Sequence, residues 1–178
     1  MDDAQDEGAK GPRITRRMVL ATGALVAAPA MLLGGRALTW WDKDPSEGYR
    51  TLHTSEARIL DSLAEAYFPP GGTPALSGAD AGISAYMDAV FEQMTEPTPT
   101  MLRTLLHALN DLARLEGASY VDLPLETRSR LLEGWLTHDN HLLRGAVTGL
   151  TTFVASAYCG HPDVRNACGW QFPCGYER

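Results

Sequence analysis

The chain has 178 residues, 44% of them hydrophobic and 21% charged, with a formal net charge of −7. Less a leader, that length leaves about 140 residues, one ordinary domain able to enclose a single core. Beyond residue 37 acidic side chains outnumber basic ones by 18 to 10 without a basic stripe, which argues against a nucleic-acid partner.

The first element is a targeting segment. Lys10, Arg13, Arg16 and Arg17 precede a charge-free apolar run from Met18 to Gly35, and Thr15-Arg16-Arg17-Met18-Val19-Leu20 has the form of a twin-arginine export signal. Gly23, Pro29, Gly34, Gly35 and several alanines dilute the run below the roughly 20 strongly apolar residues of a spanning helix. The competing reading is the basic flank of a plain membrane helix or secretory signal. Val19 and Ala21 depart from the usual motif. Ala28-Pro29-Ala30 and Gly35-Arg36-Ala37 are both candidate cleavage points, and an uncleaved tether is equally open. Residues 1–37 are therefore assigned to the signal or tether, 38–53, with Trp40-Trp41, to a linker, and 54–178 to a helical domain.

Within that domain, Thr54-Ser55 offers an N-cap to a helix through Tyr67, with Ile59, Leu60, Leu63 and Tyr67 at helical spacing and Pro69-Pro70-Gly71-Gly72 as the stop. From Asp80, the residues Ile83, Tyr86, Met87, Val90, Phe91 and Met94 form a stripe along a second helix. Thr98 as N-cap and Pro99 in the first turn begin a third, with Leu102, Leu105, Leu106, Leu109, Leu112 and Ala113 inward and an end near Gly117. Leu125–Leu136 is the fourth, and Asp139-Asn140 cap a fifth through Tyr158, with Leu142, Leu143, Ala146, Val147, Leu150, Phe153 and Val154 as its stripe. No segment alternates with the period of a strand, so the expected fold is all-α, a small bundle of about five helices.

Chemistry is sparse. His138 and His141 resemble half a metal site, but no Glu-x-x-His pair accompanies them, and capping and solvent exposure explain them better. His107, beside the third apolar stripe, reads as a half-buried structural histidine. Phosphate loops, Gly-x-Ser-x-Gly turns and His-Glu-x-x-His helices are missing. Asp61, Glu65, Asp88, Glu92, Asp111 and Glu116 read as solvated helix faces. No catalytic, cofactor-binding or metal-binding residue is assigned. Cys159, Cys168 and Cys174 are separated by eight and five residues, a spacing that fits no common zinc or iron–sulfur pattern. An oxidising compartment favours one intramolecular disulfide among the three, with the third thiol free or joined to another chain; the spacing does not choose the pair, and three buried or free thiols are the alternative.

Tyr67-Phe68-Pro69, Ile83-Ser84-Ala85-Tyr86-Met87-Asp88, and Ala157-Tyr158-Cys159-Gly160-His161-Pro162 with Cys168-Gly169-Trp170 together resemble the gluconate 2-dehydrogenase subunit 3 family over roughly Ser55 to Gly175. Cys159 stands where that family commonly has an aromatic residue, and Cys168 and Cys174 lie outside its pattern. The resemblance implies a non-catalytic small, or gamma, subunit of a periplasmic dehydrogenase. FAD would belong to a large partner subunit that oxidises a sugar or alcohol, with a cytochrome c subunit as a further associate. The twin-arginine translocase would carry both chains, leaving the complex periplasmic and associated with the membrane through its assembly or an uncleaved signal. Tyr67, Phe68, Pro69, Tyr158, His161, Pro162 and Trp170 are the candidate partner contacts, with core packing of the aromatics as the rival. Two other readings stay open: a stand-alone periplasmic redox or metal-binding protein using the cysteines with His138, His141 or His161, and a membrane-tethered helical binding module.

Overall fold

Apolar stripes at helical spacing leave each segment with one face to bury, and in the computed structural model, which describes residues 44–170, the helices bury those faces against one another. The described residues belong to the unit Ala37–Arg178, separate from Met1–Arg36. Arg16, Arg17, Trp40, Trp41 and Cys174 lie outside the described residues.

Among the described residues the order is α1 (Thr54–Tyr67), α2 (Ile83–Gln93), α3 (Thr98–Leu112), two short 3-10 turns (Ala113–Glu116 and Tyr120–Asp122), α4 (Leu125–Leu136), α5 (His141–Gly160) and α6 (Pro162–Ala167), with no strand. The all-α expectation holds. The sixth helix was not expected; its six residues are too few for a period to show. Helix α1 lies at the centre, in contact with α2, α3, α4 and α5, and α5 also packs on α2, α4 and α6. Leu60, Leu63, Ile83, Met87, Phe91, Leu106, Leu150 and Val154 meet in the core.

The helix starts differ from expectation in instructive ways. Thr54-Ser55 does not cap α1; His53 does, its Nδ1 accepting from the Ser55 backbone N–H at 3.1 Å while the Glu56 carboxylate accepts from the His53 N–H at 2.8 Å. This reciprocal pair is a capping box with an imidazole in place of the usual hydroxyl. Helix α3 begins at Thr98 behind Pro97 and has no side-chain cap. Asn140 does cap α5, its Oδ1 accepting from Leu142 N and Leu143 N.

Three stripe residues are outside the core: Tyr67, Tyr86 and Leu142 are 40%, 48% and 57% exposed. Each sits on a helix whose buried stripe is already complete without it. The linker assignment also needs correction at its C-terminal end. Leu52 is fully buried, and Asp88 on α2 accepts hydrogen bonds from the backbone N–H groups of Arg50, Thr51 and Leu52 at 2.8, 2.9 and 2.9 Å. A carboxylate offered to three successive donors clips that segment to the bundle.

Candidate functional site

Helix α1 ends at Tyr67, and the chain then turns through Phe68 and the Pro/Gly loop. Gly78 brings that loop back, its N–H donating to Phe68 O at 2.8 Å. On the far side of the sequence, Tyr158 near the end of α5 stacks on Phe68 with ring centroids 3.8 Å apart and planes 8° from parallel, and its hydroxyl donates to Leu76 O at 2.6 Å. The Tyr67 and Phe68 rings lie nearly perpendicular, with centroids 4.9 Å apart. Two of the segments quoted for the resemblance, some ninety residues apart in sequence, therefore pack against each other through Phe68 and Tyr158.

Beside this stack lies an open groove of about 690 Å³, lined by Tyr67, Leu136, the α5 residues Thr148, Thr151, Thr152, Ala155, Ser156, Cys159 and Gly160, and Arg165 and Trp170. Three of its four threonine and serine hydroxyls are turned back into the helix. Thr151, Thr152 and Ser156 donate back to the carbonyls of Val147, Thr148 and Thr152 at 2.9, 2.7 and 2.8 Å, so their protons are used within the helix. Tyr67 and the 52% exposed Trp170 add aromatic surface, and among the described residues Arg165 is the one charged residue in the lining. Apolar ground with aromatic anchors and a single cation suits a protein segment better than a small polar substrate.

The candidate contacts separate by burial. Tyr67, Pro69, Pro162 and Trp170 are exposed, Phe68 and His161 are half-buried, and Tyr158 is buried within the chain. His161 is occupied locally: it caps α6, its Nδ1 accepting from Asp163 N at 3.3 Å. Cys159 and Cys168 carry free thiols, half-buried and exposed respectively. His138 and His141 are exposed at the α4–α5 corner, where Arg144 donates to His138 O and pairs with His141 Nδ1. Among the described residues no three His, Cys, Asp or Glu side chains converge as metal ligands.

The carboxylates required the largest revision. Asp88 and Asp111 are buried and Asp61 and Glu65 half-buried, not solvated faces. Glu56, which the sequence reading passed over, is fully buried and accepts from Arg103 Nε at 2.9 Å and pairs with His107 Nε2 at 3.1 Å, besides its bond to the His53 N–H. His107 is accordingly more deeply buried than expected. Burial pushes the Glu56 carboxyl upward most strongly, but the His107 and Arg103 hydrogen bonds and the His53 N–H together hold it below its ordinary value. Asp88 follows the same logic, with its three backbone donors outweighing burial. Asp61 goes the other way: burial raises it, and its bonds from Ser84 only partly offset that.

Arg128, also unanticipated, joins α4 to α1. Its Nη1 donates to Ser62 O, its Nη2 to Glu65 Oε2 at 2.7 Å and its Nε to Leu123 O. Every buried side-chain polar atom among the described residues has a partner, so these clusters are saturated within the chain. The signal that would have found Glu56 is its position three residues after the cap. A histidine cap conceals it, since the pattern is ordinarily read from Ser, Thr, Asp or Asn.

Fold and groove together define a small all-α domain with an apolar, aromatic-flanked groove. Comparison with models of protein families, with curated proteins and with solved structures gives no match for this chain. No helix among the described residues is long and apolar enough to cross a membrane.

Proposed function

We propose that the chain is a non-catalytic small subunit of an exported, FAD-dependent sugar or alcohol dehydrogenase, binding the large flavoprotein subunit through the groove and escorting it through the twin-arginine pathway to the periplasm. The observation that carries this reading is the groove: Tyr67 and Trp170, from the first and last segments of the resemblance, both stand exposed at its lining. Exposed aromatic anchors around an apolar surface are what a permanent protein partner covers. The Arg16-Arg17 signal supports the escort role, because a pathway that carries folded proteins can carry a signal-less partner bound to a signal-bearing one.

Co-expression of the chain with a candidate large flavoprotein, once with the native signal and once with Arg16→Lys and Arg17→Lys, tests the proposal. The flavoprotein should reach the periplasm with the native signal and stay behind with the altered one. Equal delivery in both cases overturns the escort role. Absence of a flavin absorbance band from the co-purified material overturns the complex.

A further inference from the structure

Beyond the partner, the C-terminal corner carries chemistry of its own. Helix α5 ends at Gly160 and α6 starts at Pro162, so His161 alone separates the two helices. Helix α6 is six residues long and buries Val164 alone. A helix that short has little stability by itself. Cys168 follows Val164 by four residues, which puts it on the α6 side that meets α5. There Cys159 and Cys168 line the same cavity of about 330 Å³, together with Val164, Arg165 and Trp170. Burial first, and then the charges of Cys159 and Cys168, raise the Tyr158 hydroxyl above its ordinary value.

We propose that Cys159 and Cys168 are a disulfide-forming pair that latches α6 to α5 and thereby fixes the Arg165–Trp170 wall of the groove. The oxidant is a small-molecule disulfide. The exposed Cys168 thiolate attacks one sulfur of the reagent, forming a mixed disulfide and expelling one thiol. The half-buried Cys159 thiolate then attacks the Cys168 sulfur, forming the Cys159–Cys168 bond and expelling the second thiol. The two cysteines lose two electrons and two protons, and the reagent, reduced to two thiols, takes them up.

The test uses the full chain carrying Cys174→Ser, exposed to oxidised glutathione, alkylated and digested with trypsin without reduction. Cleavage after Arg144 and Arg165 separates the two cysteines onto different peptides, so a cross-linked pair appears as a single joined mass. That joined peptide is the expected result, together with slower amide exchange over 161–170 and a melting temperature several degrees higher, both reversed by a reducing agent. Cys159→Ser in the same background should stop at glutathione on Cys168. Two alkylated thiols in the Cys174→Ser protein overturn the proposal, and so does a wild-type map whose fragment ions place Cys174 in the dominant disulfide.

Discussion

Gly78 occupies a position closed to any side chain. A Cβ there would lie 2.0 Å from the Ala64 carbonyl oxygen and 2.3 Å from its carbon, both backbone atoms of α1 that cannot swing aside. Gly78→Ala should therefore lower stability by about 3 kcal/mol, as overpacking against a rigid wall does, and a urea titration measures it as a lower midpoint. Glu56 gives a second prediction at this scale. Its carboxyl is held low in the folded chain, so its contribution is present above the unfolded carboxyl value of about 4.3 and is lost as pH falls through the folded value. Asp88 acts in the same direction and Asp61, being raised, in the opposite one. Thermal melts below about pH 4 should show falling stability, and Glu56→Gln should flatten that fall. Glu56→Ala takes from the Arg103 and His107 groups a shared buried acceptor, and should cost about 3 kcal/mol at neutral pH. None of this was legible beforehand, because a carboxylate one turn into a helix looks the same in sequence whether it faces solvent or an arginine 47 residues away.

The helices themselves were readable. Leu125–Leu136 and the Asn140 cap of α5 emerge as expected, since apolar spacing and a capping amide act within a few residues. The segment before α1 was not readable, because what orders it is Asp88 on another element. Asp88→Ala should release the clip while the bundle survives, at a cost of about 1–3 kcal/mol for unmet backbone donors that water only partly satisfies. Hydrogen exchange provides the measurement: the amides of Arg50, Thr51 and Leu52 should lose protection while those of α5 keep theirs. Equal loss across both would show that Asp88 holds the whole bundle and not the clip alone.

For the molecule as a whole, the consequence of the fold is a surface. Tyr67→Ser with Trp170→Ser should reduce recovery of the proposed flavoprotein partner by at least about tenfold, as loss of aromatic anchors does, while leaving the melting temperature nearly unchanged because both rings are substantially exposed. Tyr158→Phe is the contrasting change. It removes the bond to Leu76 O inside the chain and should cost about 1 kcal/mol of stability with little direct effect on association.

The sequence by itself determined the helical class, the approximate span of five helices and the segments worth watching, because those depend on periodicity and on caps acting over one or two turns. It also placed Tyr67, Tyr158 and Trp170 together as candidate contacts. Only the tertiary structure decided their separate fates: Tyr158 inward against Phe68, Tyr67 and Trp170 outward at one groove. The physical reason is that burial is set by what packs on a residue from elsewhere in the chain. For Phe68 that neighbour is 90 residues away, beyond the reach of any local pattern.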